Sequence, residues 1–191
     1  YYTPQIWCSD NTDAIDRLHI QYGTSFCYPP DTMGAHVSVS PNEQNGRVTP
    51  LETRGAVAMC GTFGYEMDLG KLSPEERETV RQQVARFKEY SPLIAKGDYY
   101  RLSSPFDGMP YTAWAHISQD RREALATVVW QTVCAAVPFR VLRFKGLDPE
   151  LCYRVNGERE WRGDVLMQAG YPLPNPWGDY QAIQLHLTAG E

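Results

Sequence analysis

The 191-residue sequence lacks long apolar runs and has no excess of basic charge. Its longest apolar stretches are short pieces such as residues 124–130, whereas a membrane-spanning helix needs about 20 apolar residues. The net charge is −5, from 18 Lys and Arg against 23 Asp and Glu, and nonspecific nucleic-acid binding requires a basic surface. We therefore expect neither a membrane nor a nucleic acid as a partner.

The sequence has only five cysteines, and their spacing matches no known disulfide or metal-binding motif. The five residues are Cys8, Cys27, Cys60, Cys134 and Cys152, with no Cys-x-x-Cys pair among them. An odd, dispersed set predicts free, buried thiols in a reducing cytosol rather than a disulfide framework or a zinc site. The sequence shows no charged-then-apolar leader at Tyr1, and the free thiols are the reason that we predict a cytoplasmic location.

Motifs that hold metals or nucleotides are also missing from the sequence. There is no His-x-x-x-His spacing, no Gly-x-Gly-x-x-Gly loop and no phosphate-binding Gly-x-x-x-x-Gly-Lys-Ser/Thr loop. We therefore expect no metal and no cofactor.

Residues 1–94 alternate between apolar runs and helical periodicity. Three short apolar runs predict strands, at residues 1–9, 25–28 and 62–67. The polar segment 29–50, rich in Pro, Gly and Asn, is expected to be a long functional loop. This order is typical of βαβ units and a parallel sheet.

Helices are predicted between and after these strands. The first begins near Asn11 or Thr12, and the second covers residues 51–60. The third has the clearest start, because Ser73 and Glu76 form the two ends of a capping box.

After Pro92 the pattern changes to the alternation that strands show. Strands are predicted at residues 111–118, 124–133, 140–144 and 180–187. Strands that follow strands favour an antiparallel sandwich, in which most aromatic side chains belong to the core. We therefore divide the chain into an α/β part, residues 1–94, and an antiparallel β-sandwich, residues 95–191.

The densest polar group is Trp-Cys-Ser-Asp-Asn-Thr-Asp, residues 7–13, at the junction of the first strand and the first helix. In α/β barrels, catalytic residues lie where strands end, and a carboxylate beside an aromatic ring there suits a general acid. The same residue types are also the preferred helix caps. From spacing alone both interpretations stay open, and capping is the commoner.

Three longer strings carry a resemblance to a known family. They are PQIWCSDNTDAIDRLHIQYGTSFCYPPDTMGAHVS, GRVTPLETRGAVAMCGTFGYEMDL and LMQAGYPLPNPWGDYQA. They resemble the carboxyl-terminal part of α-galactosidases of glycoside hydrolase family 36, over nearly the whole chain. The resemblance implies the last strands and helices of a (β/α)8 barrel, followed by an antiparallel β-sandwich.

The same resemblance implies a retaining hydrolysis of terminal α-galactosyl residues in melibiose- and raffinose-type oligosaccharides. Asp10 matches the family's general acid/base. The family's nucleophile lies in a Lys-Trp-Asp-x-Asn-Arg motif, which these 191 residues do not contain. The chain is thus expected to be a carboxyl-terminal fragment that is inactive alone, from a parent enzyme expected to form a homo-oligomer, a tetramer.

Neighbours of Asp10 are candidate substrate-binding residues. Trp7 is predicted to wall the sugar site, or else to be a core tryptophan. Ser9 and Asn11 are predicted either to orient Asp10 and bind sugar hydroxyls, or to cap the helix.

Several other polar residues have weaker claims to the site. His36 would lie on the same face as Asp10 if the barrel topology holds, but a lone histidine in a loop is more often a surface residue. Glu66 and Asp68 would reach the rim of the site or, as the commoner case, would be solvated acids at a strand end. The simplest interpretation of Arg47 and Arg54 is solvated surface charge.

Two other functions compete with the hydrolase. One is a non-catalytic carbohydrate-binding or structural β-sandwich module. The other is a galactosyl transferase of the raffinose-synthase type, because water and a sugar hydroxyl compete for the same glycosyl–enzyme intermediate.

Overall fold

A computed structural model describes residues 4–136 and 138–190. The chain forms two compact units, residues 1–95 and 96–191. The first unit contains α1 (Ala14–Thr24), β1 (Gly34–Ser38), α2 (Leu51–Ala58), β2 (Thr62–Glu66) and most of α3 (Pro74–Lys96). The second contains β3 (Asp98–Ser103), β4 (Tyr111–Ile117), β5 (Glu123–Trp130), β6 (Val141–Leu142), β7 (Cys152–Val155), β8 (Glu160–Arg162), α4 (Gly163–Gln168), β9 (Tyr171–Pro172) and β10 (Ala182–Ala189).

The strands of the first unit are parallel. β1 pairs with β2 from Gly34 opposite Thr62 to Ser38 opposite Glu66. Ile6 makes a parallel bridge with Met33, so the segment before α1 lies along the other side of β1. Because the three segments are parallel, their carboxyl ends meet at one edge. A helix follows each of them.

Two predicted strands of this unit are wrong. Within the described part of 1–9, only the bridge at Ile6 has strand pairing, and Trp7 is 57% exposed. Residues 25–28 form turns after α1, and the real strand β1 lies inside the predicted loop 29–50. β1 forms because its backbone pairs with β2 and, at Gly34, with Ile6. Residues 25–28 are also apolar, but they pair with no strand in the described part of the chain.

The capping box of α3 is confirmed. Ser73 N–H donates to Glu76 Oε2 at 2.9 Å, and Glu76 N–H donates to Ser73 Oγ at 3.2 Å. The helix continues through Pro92 to Lys96. Burial of Leu93 and Ile94 stabilises this last turn in spite of the hydrogen bond that proline removes.

The second unit is built on one six-stranded antiparallel sheet, in the order β3-β4-β5-β10-β7-β8. β6 and β9 form a separate two-stranded pair. The predicted order, α/β followed by antiparallel β, is confirmed. All four predicted strands of this half exist with shifted ends, whereas β3, β7, β8, β9 and α4 were not predicted.

Aromatic side chains of this unit divide between core and surface. Trp114 and Trp130 are buried in the sheet, as predicted for most of them, whereas Trp177 is 96% exposed. No helix in the described ranges is long and apolar enough to cross a membrane.

All five cysteines are free, as predicted, but only Cys60 is buried. Cys152 shows why burial was wrongly expected. The strand β7 alternates between exposed and buried positions, so Cys152 faces solvent and its neighbour Tyr153 enters the core.

His116 is the most unusual polar residue of the second unit. It lies on β4 with 2% exposure, and neither ring nitrogen has a hydrogen-bond partner among the described residues. Its ring lies 5.3 Å from that of Tyr99. Burial without a compensating partner lowers the pKa of His116 to about 4.

We expect this histidine to make the protein sensitive to acid. An unfolded histidine titrates near 6.5, so protons favour the unfolded state below that pH, until the folded pKa of about 4 is reached. The unfolding free energy should fall across this window by about 3 kcal/mol. Urea denaturation should show that the unfolding free energy differs less between pH 7 and pH 4.5 in His116→Leu than in the parent protein.

Thr112→Val is the matched control. It also removes a polar group that is buried on β4, but it carries no titratable group and should keep the parent's pH dependence. A His116→Leu protein with the same pH dependence as the parent would contradict the assignment.

Candidate active site

The candidate site lies where the three parallel segments of the first unit end. Asp10 follows the Ile6 bridge, and Glu66 is the last residue of β2. Such an edge gathers side chains from separate stretches of sequence, as the carboxyl face of an α/β barrel does.

Asp10 is exposed, and its two carboxylate oxygens differ. Oδ1 accepts a hydrogen bond from Trp7 Nε1 at 2.7 Å. Oδ2 has no hydrogen-bond partner in the described part of the chain. The backbone carbonyl of Asp10 accepts from Gln44 Nε2 at 2.9 Å. The carboxylate is therefore held at one oxygen and open at the other, which is the arrangement that a proton-transferring group needs.

The cap of α1 is Asp13, not Asn11 or Thr12 as predicted. Its Oδ1 accepts from the backbone N–H groups of Ile15 and Asp16, at 3.0 and 2.9 Å. Because Asp13 fills the capping role, capping does not explain Asp10.

Ser9 and Asn11 both hold the loop that carries Asp10. Ser9 Oγ accepts from the Asn11 N–H at 3.0 Å. Asn11 Oδ1 accepts from the Asp13 N–H, and its Nδ2 donates to Asp16 Oδ2, both at 2.9 Å. The Ser9 and Asn11 side chains therefore stabilise the loop that carries Asp10.

Two residues of the segment predicted as a loop, Asn42 and Arg47, contact the loop that carries Asp10, and we call the ion pairs of Arg47 the Arg47 brace. Asn42 Nδ2 donates to Thr12 Oγ1 at 3.1 Å. The Arg47 guanidinium binds Asp13 and lies 3.0 Å from Asp16. Arg47 is thus an ion-pair partner of the buried helix cap, and the interpretation as solvated charge was wrong.

These contacts perturb the titration of the ion pair in opposite directions. Burial by itself raises the pKa of Asp16, but hydrogen bonds from Asn11 and Arg47 outweigh it, and the pKa is lowered. Burial lowers the pKa of Arg47, but the carboxylates of Asp16 and Asp13 raise it above its ordinary value. The pair is therefore ionised at neutral pH.

His36 on β1 lies against the Trp7–Asp10 pair. The His36 and Trp7 rings stack with centroids 4.7 Å apart and an angle of 18° between their planes. His36 Nε2 lies 3.0 Å from Glu66 Oε2, within ion-pair distance but without the alignment of a hydrogen bond. Burial lowers the pKa of His36, the Arg17 charge adds to this, and Glu66 opposes it.

The sequence predictions for the strand-end residues therefore have different outcomes. The structure stacks His36 on Trp7 and places Glu66 beside His36. Asp68 caps the short turn after β2, where its Oδ1 accepts from the Gly70 N–H at 2.9 Å, and like Glu66 it lines a cavity at the ends of β1 and β2.

Two buried arginines were not recognised in the sequence. Arg17 donates to the Ser9 carbonyl at 3.3 Å and to the Gly34 carbonyl. Arg54 donates to the Thr49 carbonyl at 3.0 Å and to the Ser38 carbonyl, so it is not solvated charge. Arginine is rarely buried, so the residue type at these two positions predicted exposure and nothing in the sequence indicated their burial.

A polar cavity of about 410 Å³ opens beside the site, at the ends of β1 and β2. Its lining includes Thr12, Ser38, Glu43, Arg54, Glu66 and Glu76, but not Asp10. The described residues contain no group of three or more His, Cys, Asp or Glu side chains arranged to hold a metal ion.

Comparison with known proteins shows that the chain is part of a glycoside hydrolase family. Residues 1–97 match the family model Melibiase, and residues 111–187 match the glycosyl hydrolase family 36 C-terminal domain. The chain therefore belongs to glycoside hydrolase family 36, the family that its sequence resembles.

Curated relatives agree with this family. The chain is 49% identical to α-galactosidase AgaA of Geobacillus stearothermophilus, over 99% of this chain and 26% of the relative. It is 48% identical to the bifunctional α-galactosidase/sucrose kinase AgaSK of Mediterraneibacter gnavus, over 98% of this chain and 20% of the relative. The chain thus spans about a quarter or less of the relatives' length.

A solved structure has the same fold. A variant of AgaA in complex with raffinose superposes on the whole chain with a TM-score of 0.97 at 47% identity, and the match covers 26% of that structure.

The Arg47 brace should be a major source of stability for the first unit. In Arg47→Met, the Asp13 carboxylate, whose side chain is 1% exposed, loses its counter-charge while it stays buried. We expect the unfolding free energy to drop by about 3 kcal/mol in urea denaturation.

Arg81→Met serves as the matched control. Arg81 pairs with Glu78 on the exposed face of α3, where a salt bridge contributes little. Equal losses in the two variants would show that the Arg47 contacts are no stronger than a surface pair.

Proposed function

We propose that this chain is the carboxyl-terminal part of a retaining α-galactosidase, in which Asp10 is the general acid/base. The observation that carries the proposal is the Asp10 carboxylate at the end of a parallel segment, with Oδ1 held by Trp7 and Oδ2 open. The α-galactosidase names of the relatives support the same activity.

The substrate class follows from the relatives. A structure of an AgaA variant contains raffinose, and another contains stachyose. We extend this to terminal α-galactosyl residues of such oligosaccharides for the enzyme to which the chain belongs.

Retaining hydrolysis needs two carboxylates about 5–5.5 Å apart. The nucleophile attacks the anomeric carbon while Asp10 gives its proton to the departing glycosidic oxygen. Asp10, now ionised, then removes a proton from the water that attacks the galactosyl–enzyme. The nucleophile would come from a segment outside these 191 residues, because they lack its Lys-Trp-Asp-x-Asn-Arg motif.

The proposal also assigns the architecture. The parallel segments of residues 1–94 would be the last βα units of a (β/α)8 barrel, and residues 95–191 would be the terminal β-sandwich. The parallel pairing of β1 with β2 and the antiparallel order of the six-stranded sheet support this division.

Asp10→Ala in the full-length enzyme should separate the two steps. Raffinose has a poor leaving group and should lose about 10²–10⁴-fold in rate, the usual contribution of a positioned acid. A dinitrophenyl α-galactoside should still form the galactosyl–enzyme and then stall. Azide needs no base and should restore turnover, with α-galactosyl azide as the product.

The stereochemistry of that product tests the role. β-Galactosyl azide would mean that Asp10 is the nucleophile, and an unchanged rate on raffinose would mean that Asp10 has no chemical role. Asp120→Ala, at an exposed hairpin of the second unit, is the control and should keep the parent's activity.

The 191-residue chain by itself should not turn over an aryl α-galactoside. Without the nucleophile no covalent intermediate forms, and one carboxylate does not complete the double displacement. Release of phenol by the purified chain above a buffer control would contradict this division of the catalytic groups.

A further inference from the structure

The Trp7 side chain is restrained on three sides. Its Nε1 donates to Asp10 Oδ1 at 2.7 Å, and one face of its ring stacks on His36. Its edge lies against Gly34, where an added Cβ would come within 3.3 Å of the indole Cε3 atom. The plane of the indole and the direction of its N–H are therefore determined by the start of β1.

The residue behind the indole is itself well placed. The His36 side chain is 8% exposed, and it projects from β1, which pairs with β2 along one edge and is bonded to Ile6 at its first residue, Gly34. Glu66 Oε2, at the end of β2, lies 3.0 Å from its Nε2. The indole is thus backed by a buried ring rather than by solvent.

Apart from the Trp7 N–H, the Asp10 carboxylate has no hydrogen-bond partner in the described part of the chain. It is exposed, and an exposed aspartate samples several staggered rotamers. The indole N–H selects the one in which Oδ1 is occupied, and this leaves Oδ2 as the oxygen available for proton transfer. Correct orientation of a reacting group lowers the barrier, because its rotational freedom is removed before the reaction.

We infer that Trp7 is a positioning residue: backed by His36, its indole N–H holds the Asp10 carboxylate in the orientation that protonates the leaving group. The inference rests on the proposed function of Asp10. It replaces the expected role of Trp7 as a wall for the sugar with a role that acts through Asp10.

The two roles differ in how the loss depends on the leaving group. Trp7→Phe keeps an aromatic ring on His36 but removes the N–H. If Trp7 acts through Asp10, kcat/KM of the full-length enzyme for raffinose should fall about 10- to 100-fold, the effect of one hydrogen bond to a charged group. For a dinitrophenyl α-galactoside, whose leaving group needs no proton, kcat/KM should change little. A wall for the sugar would give equal losses on both substrates, with a raised KM.

A double-mutant cycle gives a second, independent measurement. In the Asp10→Ala background, Trp7→Phe should change the raffinose rate less than about 2-fold, because its partner is already gone. Full additivity of the two substitutions would overturn the inference. Trp177→Phe, at an exposed tryptophan of the second unit, is the control and should leave both substrates unaffected.

His36→Leu provides a variant that keeps both members of the hydrogen bond. Loss of the ring stack should lower kcat/KM for raffinose about 2- to 10-fold, again without a comparable loss on the dinitrophenyl substrate. Thermal unfolding of each variant identifies a loss that comes from misfolding, which would affect both substrates alike.

Failure of this inference is distinguishable from failure of the proposed function. If Asp10→Ala lowers kcat/KM by the same factor on both substrates, the acid/base assignment is wrong, because kcat/KM reports the step in which the leaving group departs. If Asp10→Ala depends on the leaving group and Trp7→Phe does not, only the positioning role of Trp7 is wrong.

Discussion

The buried guanidinium of Arg17 connects the segment of Asp10 to the rest of the first unit. It donates to the Ser9 carbonyl, next to Asp10, and to the Gly34 carbonyl at the start of β1. Its Nε donates to Gln21 Oε1, and Gln21 in turn donates to the Val57 carbonyl on α2. A buried charge is tolerated only when its donors are satisfied, so these elements are held at fixed positions around one side chain.

The parallel pairing next to Arg17 has the same effect on the backbone. Gly34 N–H donates to the Ile6 carbonyl, and Ile6 N–H donates to the Thr32 carbonyl, both at 2.8 Å. This pairing places Trp7 over Gly34 and opposite His36. The orientation of the Asp10 carboxylate therefore depends on strand pairing rather than on the loop alone.

Two aspartates of the first unit, Asp10 and Asp13, differ in burial and in the groups they bind. Asp13 directly precedes α1, which it caps. It is buried and pairs with Arg47. Asp10 is exposed and keeps one oxygen open. Two aspartates three residues apart thus have different surroundings, because one faces the helix end and the other faces solvent.

Local patterns in the sequence determined the elements that depend on neighbouring residues. The capping box of Ser73 and Glu76, the helix over 51–60 and the alternating strands of the second half all follow from short-range periodicity and side chain–backbone bonds. The strings that include Trp-x-Ser-Asp-Asn-Thr-Asp also identified the family. Only the tertiary structure decided which aspartate caps α1, where β1 lies, and that Arg17, Arg47 and Arg54 are bonded inside the unit. The position of β1 and the bonding of these arginines depend on contacts between residues that are far apart in sequence, such as Arg47 with Asp13, and periodicity carries no information about such contacts. The cap of α1 is a local contact of Asp13, but its neighbours Asn11 and Thr12 have the same capping chemistry, so residue type did not choose among them.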